Sequence, residues 1–115
     1  MAKRPDSHVI REVSDGLEAV CVAEALKPDL ILLDIGLPTL NGFAAARQIR
    51  RLAPESKLIF VSQECLPDIV QEAFNLGAQG YVVKTRAAID LLLAIEAVLA
   101  GRHFVSSGLM TSGPG

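Results

Sequence analysis

The fifteen-residue block PDLILLDIGLPTLNG, residues 28–42, constrains the fold of this chain more than any other stretch. Leu30 to Leu33 is an unbroken apolar run, and Asp34 stands at its end. A strand with one wet face would alternate. This one does not, so it predicts a strand buried on both sides, as in a parallel sheet covered by helices. Residues 35–42 hold two glycines and Pro38 and predict a loop.

The rest of the chain repeats the same strand-then-helix logic. Residues 8–13 are rich in β-branched side chains and predict a strand. Ser14 or Asp15 can cap the helix that follows, and Glu18 suits its exposed N–H groups. Leu17, Val20, Cys21 and Leu26 mark an apolar stripe at helical spacing, and Pro28 ends it. Phe43, Ala46 and Ile49 form the core stripe of the next helix, with Arg47, Arg50 and Arg51 on its wet side and Pro54 as its stop. Residues 57–61 predict a strand ending at Ser62. Ile69, Val70, Ala73 and Phe74 recur at helical spacing before a capping Gly77. Residues 81–83 predict a short strand ending at Lys84. A helix over 87–99 carries Ile89, Leu92, Leu93 and Val98, and Gly101 stops it. The order β-α-β-α-β-α-β-α predicts an α/β fold, a doubly wound parallel sheet with right-handed crossovers. Residues 8–105 would form the domain. Residues 1–7 read as a flexible start, and the serine- and glycine-rich 106–115 as a tail or linker.

Composition narrows the function. A chain of 115 residues that is 50% hydrophobic suits one core. A net charge of -2 gives no support for broad binding to a phosphate backbone. Aromatic residues make up 4% and tryptophan is absent, which argues against base-stacking platforms. Cys21 and Cys65 read as reduced, small apolar residues or as a disulfide. With His8 and His103 they make no zinc spacing. The richest apolar run, residues 87–100, is interrupted by Asp90 and Glu96 and is too short to span a bilayer. No signal-peptide core follows residue 7, so a cytoplasmic protein without membrane contact is expected.

Asp34, Ser62 and Lys84 each directly follow an apolar strand. In an open parallel sheet the carboxyl ends of the strands line the usual ligand crevice. A carboxylate nucleophile, a hydroxyl and a cation meeting there can accept and stabilise a phosphoryl group. Spacing alone fits better a polar rim on an ordinary α/β core, with Asp34 as a turn residue bonding backbone N–H groups. A small-molecule α/β enzyme would need a dinucleotide glycine signature or a nucleophile elbow, and the sequence has neither.

The stretches VSDGLEAV, KPDLILLDIGLPTLNGFAAARQIR, LIFVSQ, AFNLGAQGYVVK and AIEAVLAGRHFVS resemble response-regulator receiver domains of two-component signalling. The similarity is greatest to receivers that precede a helix-turn-helix output domain of the NarL/FixJ type, and it covers about residues 9–107. It implies a flavodoxin-like receiver topology. It casts Asp34 as phosphoacceptor, Ser62 as the hydroxyl that senses the phosphoryl group, Lys84 as its cationic partner and Tyr81 as a switch aromatic. Asp34 and the backbone carbonyl of Gly36 would hold magnesium. The implied function is a regulator rather than a classical enzyme. It takes a phosphoryl group from a sensor histidine kinase and relays the signal by conformational change, to transcription. The other reading is an unphosphorylated protein-binding or dimerisation module on the same scaffold.

The resemblance also implies a strand and helix before the matched region, with an acidic pair that holds magnesium. Residues 8–13 match the family's second strand, and neither Asp6 nor Asp15 is assigned to that pair. The first strand would lie between the family's second and third. Without it, the strands are expected to close up in a rearranged sheet, or to pair with a partner chain in a homodimer, or to be marginal as a fragment. Self-association or a departure from ordinary receiver topology is therefore expected, with weak magnesium-dependent phosphorylation. DNA would be reached only through an output domain outside this chain.

Overall fold

Strands β1 (Ile10–Val13), β2 (Leu30–Asp34), β3 (Lys57–Ser62), β4 (Gly80–Val83) and β5 (Phe104–Val105) form one sheet in that spatial order. All four pairings are parallel. Helices α1 (Gly16–Leu26), α2 (Leu40–Leu52), α3 (Pro67–Asn75) and α4 (Ala87–Leu99) connect them. The computed structural model describes residues 8–35, 40–63 and 66–106.

The unbroken apolar run of β2 is buried on both faces, as its sequence demands. Ile31, Leu33, Leu58, Phe60, Tyr81 and Val83 face one side, under α1, α2 and α3. Leu30, Leu32, Ile59, Val61 and Val82 face the other, against Ala94 and Val98 of α4. Each large side chain so enclosed contributes about 1.5–3 kcal/mol. Phe60 anchors the first face, with the Phe43 ring 6.2 Å and the Tyr81 ring 6.1 Å from its own.

The strands have closed up. β1 pairs directly with β2, from Ile10 opposite Leu30 to Val13 opposite Leu33. Val9 extends this edge: its N–H donates to Asp29 Oδ2 at 2.8 Å, and its carbonyl accepts from Asp29 N at 2.9 Å. The edge of β2 from Leu30 to Leu33 is therefore paired within the chain. The resulting order departs from the 2-1-3-4-5 arrangement of flavodoxin-like sheets.

Three expectations need correction. Residues 104–105 form a fifth strand, with Phe104 N donating to Gln79 O and Ser106 N to Tyr81 O, both at 3.0 Å. Two residues carry no alternation to read, so the sequence did not announce it. The crossovers do not all share one hand. Strand order advances steadily while α4 lies on the opposite face from α1–α3, so the β4–α4–β5 crossover has the opposite hand to the other three. The apolar face of β2, β3 and β4 draws α4 to that side, and a two-residue edge strand imposes little restraint against it.

The third correction concerns α1. Asp15 caps it by accepting from Glu18 N at 3.0 Å, but Ala19 and Ala23 form its buried face. Leu17, Cys21 and Leu26 point to solvent, and of the expected stripe only Val20 is partly buried. Alanines on α1 and at Ala45 and Ala46 of α2 let the two helices approach closely, which larger side chains would prevent. In α4 likewise, Val98 turns inward while Ile89, Leu92 and Leu93 turn out. Cys21 is a free thiol, and Cys65 lies outside the described residues. Among the described residues no helix is long and apolar enough to cross a membrane.

Candidate functional site

Parallel pairing brings the carboxyl ends of β2, β3 and β4 to one edge. Asp34 ends β2 opposite Val61, and Ser62 ends β3 opposite Val83, so Lys84 lies just past the end of β4. Neighbouring strands are about 4.8 Å apart, which sets β2 and β4 about 10 Å apart with β3 between them. The lysine side chain spans that gap. Lys84 Nζ lies 2.8 Å from Asp34 Oδ1, and the two side chains are 35% and 29% exposed. A single 3-10 turn, Lys84–Arg86, swings the chain over the sheet edge at this point.

Asp34 Oδ1 is buried and accepts no aligned hydrogen bond from a described residue. Its contact with Lys84 is an ion pair, so the exposure of Asp34 falls on its other side-chain atoms. Ser62 is closed off from solvent, on the side of the sheet shared with Leu58 and Phe60. The structure thus joins Asp34 and Lys84 directly and sets Ser62 on the intervening strand. Tyr81 is wholly buried against Phe60. Gly36 lies outside the described residues.

Magnesium needs a near-octahedral shell of oxygens, usually with one or two carboxylates. Among the described residues no group of three or more histidine, cysteine, aspartate or glutamate side chains could hold a metal ion. Asp15 is engaged as the cap of α1. Asp34 Oδ1, the one buried side-chain oxygen without a hydrogen bond among the described residues, already has an ammonium 2.8 Å away. The donor set among the described residues does not fit a resident magnesium ion.

A second polar cluster beside this edge escaped the sequence reading. Val83 N donates to Ser106 Oγ at 3.0 Å, Ser106 in turn bonds Asp90, and Arg86 Nε donates to Asp90 Oδ2 at 3.0 Å. The Arg86 bond above all, with that of Ser106, holds the Asp90 carboxyl below the ordinary aspartate range, against the opposing effect of burial. An arginine and an aspartate four apart at a helix start were the only sequence signal. Ser106 had none.

Residues 1–96 match the family described as response regulator receiver domain. The nitrate/nitrite response regulator protein NarL of Escherichia coli K12 is 34% identical over 105 residues, covering 91% of this chain and 49% of that protein. The transcriptional regulatory protein PdtaR of Mycobacterium tuberculosis is 39% identical over 98 residues, covering 84% of this chain and 46% of that one. The chain spans about half the length of the curated relatives it matches. A LuxR-family two-component response regulator from Aurantimonas sp. SI85-9A1 superposes with a TM-score of 0.76 at 32% identity, over 84% of this chain and 69% of that one. The isolated REC domain of RcsB from Salmonella enterica serovar Typhimurium shares the fold, with a TM-score of 0.76 at 17% identity over 88% and 94% of the two chains.

Proposed function

The chain belongs to the response regulator receiver domain family, and on that premise we propose that it accepts a phosphoryl group on Asp34 and relays the change to an output. One observation carries the proposal: an accessible carboxylate at the sheet edge has an ammonium 2.8 Å away. The donor would be a phosphohistidine of a sensor histidine kinase. A carboxylate oxygen of Asp34 attacks phosphorus, the P–N bond breaks, and its electron pair remains on the imidazole. The new P–O bond makes an acyl phosphate, which water later cleaves to reset the switch. Lys84 balances the charge of the transferring group.

The phosphoryl group adds a charge of about -1.5 to -2 beside Lys84. Ser62 would turn from the interior to donate to a phosphoryl oxygen, and Tyr81 would repack behind it. Lys84 adjoins Val83, which holds Ser106, so movement of the lysine has a short path to the chain beyond residue 106. The output is transcription, in keeping with the regulators the chain resembles, and DNA would be met by a domain outside these residues. The setting would be the cytoplasm. We also propose a homodimer through the outer face of α4, where Ile89, Leu92 and Leu93 are 62%, 65% and 52% exposed.

The test is phosphotransfer from a phosphorylated histidine kinase, followed by intact-mass measurement. One phosphoryl group is expected on the chain and none on Asp34→Asn. Because the donor set does not fit magnesium, labelling should be slow, and magnesium should accelerate it little. Labelling that survives Asp34→Asn would refute the assignment. No labelling at all would leave an unphosphorylated binding module.

A further inference from the structure

At the opposite end of the sheet, the carboxyl-terminal half of α2 and the turn from α3 into β4 border an open cleft of about 780 Å³. Arg47, Arg50 and Arg51 line one wall, and Phe74, Asn75 and His103 line the other. Among the described residues no carboxylate lines it. None of the three arginines has an ion pair or side-chain hydrogen bond to a described residue. Arg50 and Arg51 fall in the last turn of α2, where a cation offsets the helix dipole. Arg47 lies a turn earlier, beyond that need.

Two of the three amides lining the cleft, Asn75 and Gln79, are turned the same way. Gln79 Oε1 accepts from Leu58 N at 2.8 Å, and Asn75 Oδ1 accepts from Gln71 Nε2 at 3.1 Å. Each keeps its NH₂ group as a donor. The stem of Arg50 lies against Gly77, so close that a Cβ there would stand 2.5 Å from Arg50 Cδ. Packing on a bare glycine pre-orders that side chain. The lining thus offers guanidinium and amide donors, with an aromatic pair, Phe74 and His103, whose ring centres are 5.6 Å apart.

We propose that this cleft binds a small, multiply charged phosphorylated molecule. Guanidinium groups at helical spacing suit bidentate contact with phosphate oxygens. The volume lies in the small-molecule range of roughly 300–1,000 Å³. A net charge of -2 on the whole chain disfavours a long polyanion running across the surface.

The test is calorimetric titration of the chain with inorganic pyrophosphate, with an acidic peptide and a short oligonucleotide as comparison arms. Saturable pyrophosphate binding is expected, weakened at least about tenfold in Arg47→Gln/Arg51→Gln. Arg11→Gln, on exposed β1, should leave it unchanged. Circular dichroism melts confirm that each variant folds. Absence of saturable binding would overturn the proposal. So would equal weakening by Arg11→Gln, or tighter binding of the peptide or oligonucleotide than of pyrophosphate.

Discussion

Lys84 reaches across the whole width of β3 to pair with Asp34, Nζ to Oδ1 at 2.8 Å. Neither residue neighbours the other in sequence or in strand order. A pair this exposed contributes at most about 1 kcal/mol to stability. Loss of a donor aimed at developing charge costs a reaction about 10²-fold or more. Lys84→Met should therefore shift the denaturant midpoint little while slowing phosphotransfer to Asp34 by roughly 10²-fold. Stopped-flow or gel-based transfer kinetics beside a urea melt separates the two effects. A variant whose urea midpoint falls while its transfer rate stays normal would assign the lysine a purely structural part.

Asp90 supplies a pH test. Its carboxyl is held below the ordinary aspartate value chiefly by the Arg86 hydrogen bond. The ordinary value, about 3.9, stands for the unfolded chain. The folded pKa is the lower of the two, so the ionised form contributes stability that is fully present above the unfolded value. That stability is lost as pH falls through the folded one. Thermal melts of the native chain should show it declining below about pH 4, and the decline should be shallower in Asp90→Asn. Identical pH profiles for the two would remove Asp90 from the account.

Gly77 and Gly101 separate strain from collision. Both have positive φ, 112° and 90°, where any side chain is strained. A Cβ at Gly101 meets nothing within 4 Å, whereas at Gly77 it would meet the Arg50 stem at 2.5 Å. Gly101→Ala should cost about 1 kcal/mol, and Gly77→Ala measurably more. Arg50→Ala in the Gly77→Ala background should recover the excess, as read from urea melts of the four variants. Additive effects would show that the arginine stem yields freely.

The elements that announced themselves are those whose chemistry is local. The run Leu30–Leu33 reads as a doubly buried strand, and its neighbours followed from proline and glycine stops. Asp34 and Lys84 were legible because each ends an apolar run, and a parallel sheet aligns such ends. What escaped depends on partners distant in sequence. The buried face of α1 is set by how closely alanines let α2 approach, which a count of large apolar residues inverts. Strand β5 exists because β4 presents an open edge. Ser106 is buried because Val83 and Asp90 need a hydroxyl there. The direct pairing of β1 with β2 was one of three outcomes that the sequence left open, and backbone hydrogen bonding along Asp29 and Val9 decides it.

The outer face of α4 yields the last prediction. Ile89, Leu92 and Leu93 lie at helical neighbour spacing, and all are more than half exposed. Their inward counterparts are Asp90, Ala94 and Val98, so the helix cannot bury both sets by rotating. Glu96 is the one charged residue on the exposed side, so two copies of this face can meet about a two-fold axis with little charge to desolvate. Sedimentation velocity over a concentration series should show a reversible dimer. Leu92→Glu should weaken it at least about tenfold, because each two-fold contact then brings two buried charges together. Asp34 and Lys84 lie outside this face, so the variant should keep its phosphotransfer rate. A native chain that stays monomeric at high concentration would remove α4 as the contact.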